Sequence, residues 1–83
     1  MRDEPPVDEQ LDASGLNCPL PILKAKKALA TMELGQTLHV IATDPGAEAD
    51  FDAFAEQTGH KLIRAWKIEN AYHFLLEKRA KRR

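Results

Sequence analysis

Residues 15–32 read GLNCPLPILKAKKALATM, and they determine where the first helix of this chain begins. Proline is tolerated in the first turn of a helix, because the N–H groups there have no partner within the helix. The two prolines are therefore predicted to start a helix, with Cys18 at or near the N-cap, Pro19 at N1 and Pro21 at N3. Its apolar residues fall on one helical stripe, namely Ile22, Ala25, Leu29 and Met32.

Alternating polar and apolar residues on either side of this helix predict four strands, and a second helical pattern lies between two of them. The strands are predicted at residues 10–13, 37–43, 61–68 and 72–78, the helices at 21–32, with Gly35 as its cap, and 47–58. Since a βαβ crossover is right-handed, both helices should pack on one side of the sheet. The predicted fold is α/β of the α+β type: a two-layer sandwich with the order β-α-β-α-β-β, a four-stranded mixed sheet and two helices on one face.

The strand pattern also predicts which side chains share a face. Leu62, Arg64, Trp66 and Ile68 are expected on one face of the third strand, because side chains two residues apart point the same way. Trp66 and Phe74 are both expected to belong to the core.

The length of 83 residues indicates one domain. We expect this domain to cover residues 9–78, after a disordered acidic extension at 1–8 and before a basic tail at 79–83. The start of the chain lacks the apolar segment of a secretory signal, and no apolar run approaches the roughly 20 residues that cross a bilayer. The single cysteine excludes an internal disulfide. These features predict a cytoplasmic monomer that does not act at a membrane.

Cys18 is the residue around which a function can be argued. A helix N-terminus carries roughly half a positive charge, which favours an anion such as a thiolate. We therefore predict that the pKa of Cys18 lies below the value of about 8.5 for a free thiol. The N–H groups of Leu20 and Ile22 are expected to face the sulfur, and the lysines that add positive charge nearby are Lys24, Lys26 and Lys27. The alternative is a buried, inert cysteine.

Several thiol chemistries lack their usual partners in this sequence. A disulfide oxidoreductase usually has a second cysteine, and a cysteine hydrolase needs a histidine that no motif identifies here among His39, His60 and His73. One cysteine and scattered histidines give no zinc spacing. What remains is a thiol that accepts a group and passes it on. A persulfide on Cys18 fits this transfer role, since no second thiol of the chain can attack its outer sulfur.

Three stretches of the chain resemble the TusA/SirA-like sulfur-carrier family. They read LDASGLNCPLPILKAKKAL, DPGAEADFDAFAEQTGH and YHFLLEK, and they include the family's Cys-Pro-x-Pro motif as Cys18-Pro19-Leu20-Pro21. The resemblance covers residues 11–78, and Phe51 departs from it by standing where a smaller aliphatic residue is common.

The resemblance implies the fold predicted above and a covalent persulfide on Cys18 without any cofactor or metal. It implies a protein donor, such as a cysteine desulfurase or a rhodanese-like protein, and a protein acceptor. The relay would serve 2-thiouridine formation in tRNA, molybdenum-cofactor supply or sulfur oxidation. Gly15, Pro19 and Pro21 carry over as supporting motif residues. Candidate partner contacts are Lys24, Lys26, Lys27 and Asp44, the last from a second motif that is otherwise a strand-to-helix turn.

Two other functions stay open on the residues alone. A small RNA- or protein-binding module would use the sheet and the basic residues Lys81, Arg82 and Arg83, with Cys18 incidental. The formal net charge of −1 argues against direct nucleic-acid binding. A stand-alone enzyme would use Cys18 as its nucleophile, but the sequence offers no recognisable base.

Overall fold

The computed structural model describes residues 7–80 and has the predicted order of elements. The strands are β1 (Glu9–Ala13), β2 (Thr37–Ala42), β3 (Lys61–Ile68) and β4 (Ala71–Glu77), and the helices are α1 (Leu20–Ala30) and α2 (Ala47–Thr58). The sheet has the strand order β1-β2-β4-β3, with β1 parallel to β2 and both β4 pairings antiparallel. The predicted four-stranded mixed sheet with two helices is therefore confirmed. Part of the predicted extension, residues 1–6, and part of the tail, residues 81–83, lie outside the described residues.

One face of the sheet and the inner faces of both helices form the core. The core contains alternate residues of β2 and β4, because side chains two residues apart on a strand point to the same face. The largest fully buried side chains are Phe51, Phe74, Leu29, Leu38, Leu76 and Val40. Phe51 stacks on Phe74 with ring centroids 4.4 Å apart, so α2 is held against the centre of the sheet. Phe74 therefore belongs to the core as predicted.

The first helix ends earlier than predicted, at Ala30 and not at Met32. Its N-cap is Pro19 and its C-cap is Thr31, so Met32 and Gly35 lie in the following turn. Gly35 adopts a φ of 89° there and donates its N–H to the Lys78 carbonyl at 2.9 Å, so it does not cap the helix. Met32 remains buried, which is why the apolar stripe continues past the last helical residue.

A bulge in β3 overturns the predicted alternation of that strand. Leu62 pairs with Leu76 and the next paired residue is Arg64, opposite Leu75, so the bulge falls at Ile63. The extra residue reverses the side on which each later side chain points. Leu62 packs against the core, whereas Trp66 lies opposite His73 on the face without helices. The prediction that Trp66 belongs to the core is therefore wrong.

The helix-free face carries an aromatic cluster in place of a second layer. Trp66 stacks with His39 and His73, whose rings join through a 2.9 Å contact between His39 Nε2 and His73 Nδ1. The Arg64 guanidinium lies 4.9 Å from the centre of the Trp66 ring. His39 and His73 are thus packed within this cluster, on the side of the sheet opposite the helices.

Both termini of the described chain are tied to the sheet. Asp8, which the sequence assigned to a disordered extension, donates its N–H to the Thr37 carbonyl at 3.1 Å. The Asp8 carboxylate accepts the Thr37 N–H at 2.9 Å. Arg79, assigned to the tail, donates its N–H to His60 Nδ1 at 3.0 Å.

Candidate functional site

Cys18 is exposed and ends the loop that joins β1 to α1. Gly15 begins this loop with a φ of 81°, a conformation that glycine adopts without steric penalty. Its N–H donates to Thr43 Oγ1 at 2.8 Å, which fastens the loop to the end of β2. Gly15 thus sets the direction of the chain before Cys18, and its supporting role in the site stays a prediction.

The two prolines start the helix one position later than predicted. Pro19 is the N-cap and Pro21 lies in the first helical turn, so Cys18 precedes the cap. The peptide bond between Cys18 and Pro19 is cis. The Leu20 N–H was expected to face the sulfur, but it donates to the Asn17 carbonyl at 2.8 Å. One of the two donors assigned to an anion is therefore already engaged.

A shallow groove of about 230 Å³ opens at the sulfur, between the two helices. Cys18, Pro19 and Ile22 line one side, and the α2 residues that line the other are Asp50, Ala53, Phe54 and Gln57. Phe54 is buried and forms the floor, whereas Ala53 and Gln57 are exposed. The groove is open enough for a segment of another protein to reach the sulfur.

The charge around the sulfur is opposite to the one predicted. Asp50 lines the same groove as Cys18, and hydrogen bonding to its carboxylate is the largest cause of a Cys18 pKa raised above the ordinary thiol value. Partial desolvation and the negative charges of Asp50 and Asp44 act in the same direction. The prediction of a lowered pKa is therefore wrong, because it considered the helix N-terminus and omitted the carboxylates across the groove.

The three lysines among the predicted partner contacts are exposed, and they line grooves that do not include the sulfur. Lys24 and Lys27 line a separate groove together with Leu11 and Thr31. Lys26 lines a further groove near the end of α1, beside His60, Lys78 and Arg79. The helix therefore directs its three lysines to two surfaces, neither of which includes Cys18.

Asp44 has a structural role in the turn before α2. Its carboxylate accepts the Gly46 N–H at 3.2 Å, and its carbonyl accepts the Ala47 N–H at 3.0 Å. These bonds fit the interpretation of the second motif as a strand-to-helix turn. Asp44 also acts on Cys18 through its charge.

None of the three histidines lines the Cys18 groove within residues 7–80. His39 and His73 belong to the opposite face of the sheet, and His60 lies at the far end of the helices. The same residues contain no cluster of three or more His, Cys, Asp or Glu that could hold a metal ion, and no helix among them is long and apolar enough to cross a membrane.

Asp50 is the site residue that the sequence analysis missed. It lies on α2, three residues before Ala53 and seven before Gln57, and these spacings place all three on one side of that helix. The buried residues of α2 are Ala47, Phe51 and Phe54, and the sequence shows that a polar stripe adjoins them. The packing of α2 beside α1 was needed to show that it faces Cys18.

Comparison with known proteins agrees with the resemblance seen in the sequence. The family model described as sulfurtransferase TusA matches residues 9–78. The sulfur carrier protein TusA of Allochromatium vinosum is 62% identical over 71 residues, which are 86% of this chain and 93% of that protein. The crystal structure of the SirA-like protein from Desulfitobacterium hafniense superposes with a TM-score of 0.73 at 27% identity, over 83% of this chain and 95% of that one.

Proposed function

This chain belongs to the TusA sulfurtransferase family and is a sulfur carrier, and from this premise we propose that Cys18 carries the sulfur as a persulfide. The observation that supports the assignment is the placement of the only thiol. Cys18 is exposed at the mouth of an open groove, on a loop fastened at Gly15 and followed at once by the helix that Pro19 caps. A sulfur in such a place can meet the cysteine of another protein.

Loading requires a nucleophilic thiolate and a sulfur donor. The Cys18 thiolate attacks the outer sulfur of a persulfide on the donor, and a new S–S bond forms at Cys18 as the donor's S–S bond breaks. The cysteine sulfur of the donor leaves as a thiolate and takes up the proton that Cys18 lost. The exchange is balanced without an external oxidant or reductant, because the sulfane sulfur only changes carrier.

Unloading repeats the exchange with the roles reversed. An acceptor thiolate attacks the outer sulfur on Cys18, and Cys18 becomes the leaving group. With a single cysteine in the chain, no internal thiol competes for that sulfur. We propose a cysteine desulfurase or a rhodanese-like protein as donor and a relay protein as acceptor, in the cytoplasm, serving tRNA thiolation, molybdenum-cofactor supply or sulfur oxidation.

The test is an intact mass after incubation with a cysteine desulfurase, its pyridoxal cofactor and cysteine. We expect the wild-type chain to gain one sulfur atom, about 32 Da, that dithiothreitol removes; sulfinic acid has nearly this mass but resists the reductant. Cys18→Ala should gain nothing under the same conditions. A wild-type chain that stays unmodified with several desulfurase and rhodanese donors would contradict the proposal, and a binding module would then be the better hypothesis.

A further inference from the structure

The groove at Cys18 contains negative charge and no positive charge of its own within residues 7–80. From α2 the ionisable side chain that lines it is Asp50, and from the turn before α2 Asp44 acts on the thiol through its charge. From the α1 side it is lined by Pro19 and Ile22, which are uncharged. The site therefore holds the proton of its thiol and lacks a cation that would release it.

The lysines of α1 do not compensate for these carboxylates. Lys24 and Lys27 lie beside Leu11, and Lys26 lies at the other end of the interhelical surface. Hydrogen bonding to Asp50 and the charges of Asp50 and Asp44 therefore raise the pKa of Cys18. A thiol in this state is a poor nucleophile at neutral pH, although the proposed function needs it to attack a persulfide.

We propose that Asp50 is a specificity-determining residue for sulfur transfer: its carboxylate, which lines the same groove as Cys18, keeps the unloaded thiol protonated until a partner places a cationic side chain against it. This inference rests on the proposed function and deepens it. A cation against Asp50 cancels the charge that opposes ionisation, and the thiolate then forms within the complex. The carrier consequently discriminates between a docked donor protein and small thiol-reactive molecules, which bring no cation to Asp50.

The partner that fits this site presents a lysine or arginine beside its persulfide. Ala53 and Gln57 are exposed on the same side of α2, so a side chain can reach Asp50 from solvent. An arginine can bind a carboxylate through two parallel hydrogen bonds, which would hold the partner's sulfur at a fixed distance from Cys18.

The first test measures the rate at which iodoacetamide alkylates Cys18 as a function of pH, without any partner. Asp50→Asn is expected to move the midpoint of the profile to lower pH. At about pH 7 alkylation should be roughly threefold faster for each unit of pKa lost, because the larger thiolate fraction outweighs the lower nucleophilicity. Glu48→Gln is the matched control: Glu48 is also acidic and in the first turn of α2, but it does not line the groove.

Coincident profiles for Asp50→Asn and wild type would overturn the proposal, as would an equal shift in Glu48→Gln. Circular dichroism melts of the three chains check that each is folded. A change in stability alone would not move the midpoint of the pH profile, so this readout separates the proposed role from a structural one.

The second test supplies the cation within the chain. Ala53→Lys places an ammonium one helical turn from Asp50, and Ala53→Gln is its uncharged control. We expect Ala53→Lys alone to lower the midpoint of the alkylation profile, and by more than it does when Asp50 is already Asn. A similar midpoint in Ala53→Lys, Ala53→Gln and wild type would contradict the requirement for a cation.

Persulfide loading distinguishes a failure of this inference from a failure of the proposed function. With inorganic polysulfide as a donor that brings no side chain, Asp50→Asn should load faster than wild type by a factor similar to that seen in alkylation. If wild type loads from a desulfurase but the alkylation profiles coincide, Cys18 is the carrier and Asp50 has no gating role. If the profiles differ as expected but no donor loads any variant, Asp50 controls the thiol and the carrier assignment of Cys18 is wrong.

Discussion

At the scale of single residues, two opposing effects act on the ionisation of the Cys18 thiol. The helix N-terminus acts through N–H groups of the first turn, but Cys18 precedes the cap and the Leu20 N–H is bonded to Asn17. The Asp50 carboxylate, which lines the same groove, opposes ionisation of the thiol through hydrogen bonding and charge, and its effect prevails. A thiol near a helix start is therefore not activated merely by its place in the sequence.

Phe51 illustrates how a single core residue can be tested. Its side chain is fully buried, stacked 4.4 Å from Phe74 and edge-on to Phe54 at 6.2 Å. Phe51→Ala should lower the free energy of unfolding by about 3–5 kcal/mol, because it removes apolar contact and leaves a cavity. Urea unfolding measures the change.

The control for this prediction is Leu23→Ala. Leu23 is an apolar residue of α1 that is 52% exposed, so its truncation should change the unfolding free energy by no more than about 0.5 kcal/mol. A loss below about 1 kcal/mol for Phe51→Ala would mean that the aromatic contact at this position adds little, and that a smaller aliphatic residue fills the site as well.

At the scale of elements, the connection between α2 and β3 fixes the far end of the helical layer. Gly59 ends α2 with a φ of 87° and donates its N–H to the Ala55 carbonyl. His60 follows, contacts the Phe54 ring, and accepts the Arg79 N–H at Nδ1. One histidine thus joins the end of α2 to the chain leaving β4.

The His60 contact predicts that stability depends on pH. Burial and then the charge of Lys78 lower its pKa from 6.5, and a proton on Nδ1 would break the bond from Arg79. Below that value the unfolded chain binds a proton more readily than the folded one, so this contribution is present above about pH 6.5 and is lost as the pH falls. Urea midpoints measured at about pH 7 and about pH 5 should fall more for wild type than for His60→Gln.

The control for His60→Gln is a histidine-to-glutamine substitution on the face of the sheet without helices. His73→Gln removes a histidine that stacks on Trp66 and leaves the contact between His60 and Arg79 in place. If His60→Gln and wild type lose stability in parallel between the two pH values, the contribution assigned to His60 is absent.

At the scale of the whole molecule, Lys78 joins elements that are far apart in the sequence. Its N–H donates to the Gln36 carbonyl at 2.8 Å, and its carbonyl accepts the Gly35 N–H at 2.9 Å. Its ammonium donates to the Leu29 carbonyl at 2.6 Å. The end of the sheet is therefore fastened both to α1 and to the turn that follows it.

Truncation of the chain tests this connection. A chain that ends at Glu77 should lose about 4 kcal/mol of stability, since it lacks the three hydrogen bonds of Lys78 and the bond from Arg79 to His60, which contribute roughly 1 kcal/mol each. A chain that ends at Ala80 keeps these bonds and is the reference for the comparison. Urea unfolding of both chains measures the difference, and Lys78→Met separates the ammonium from the two backbone bonds. Equal stability of the two truncated chains would refute the role of Lys78.

The sequence alone determined the order of elements, the core stripes of both helices and the position of Cys18 before a proline-started helix. These follow from periods of 3.6 and two residues and from the backbone limits of proline, which act within a few neighbours along the chain. For the same reason Phe74 and Leu29 were recognised as core residues, and the mixed sheet could be deduced from the connections.

Only the tertiary structure decided on which face of the sheet Trp66 lies and in which direction the pKa of Cys18 is shifted. A single bulged residue at Ile63 reverses the strand face, and the pairing partner that reveals it lies on β4. Asp50 is 32 positions from Cys18 in the sequence and reaches it because α2 packs beside α1. Electrostatic effects depend on distance through space, so the packing of the two helices, and not the local motif, sets the chemistry of this thiol.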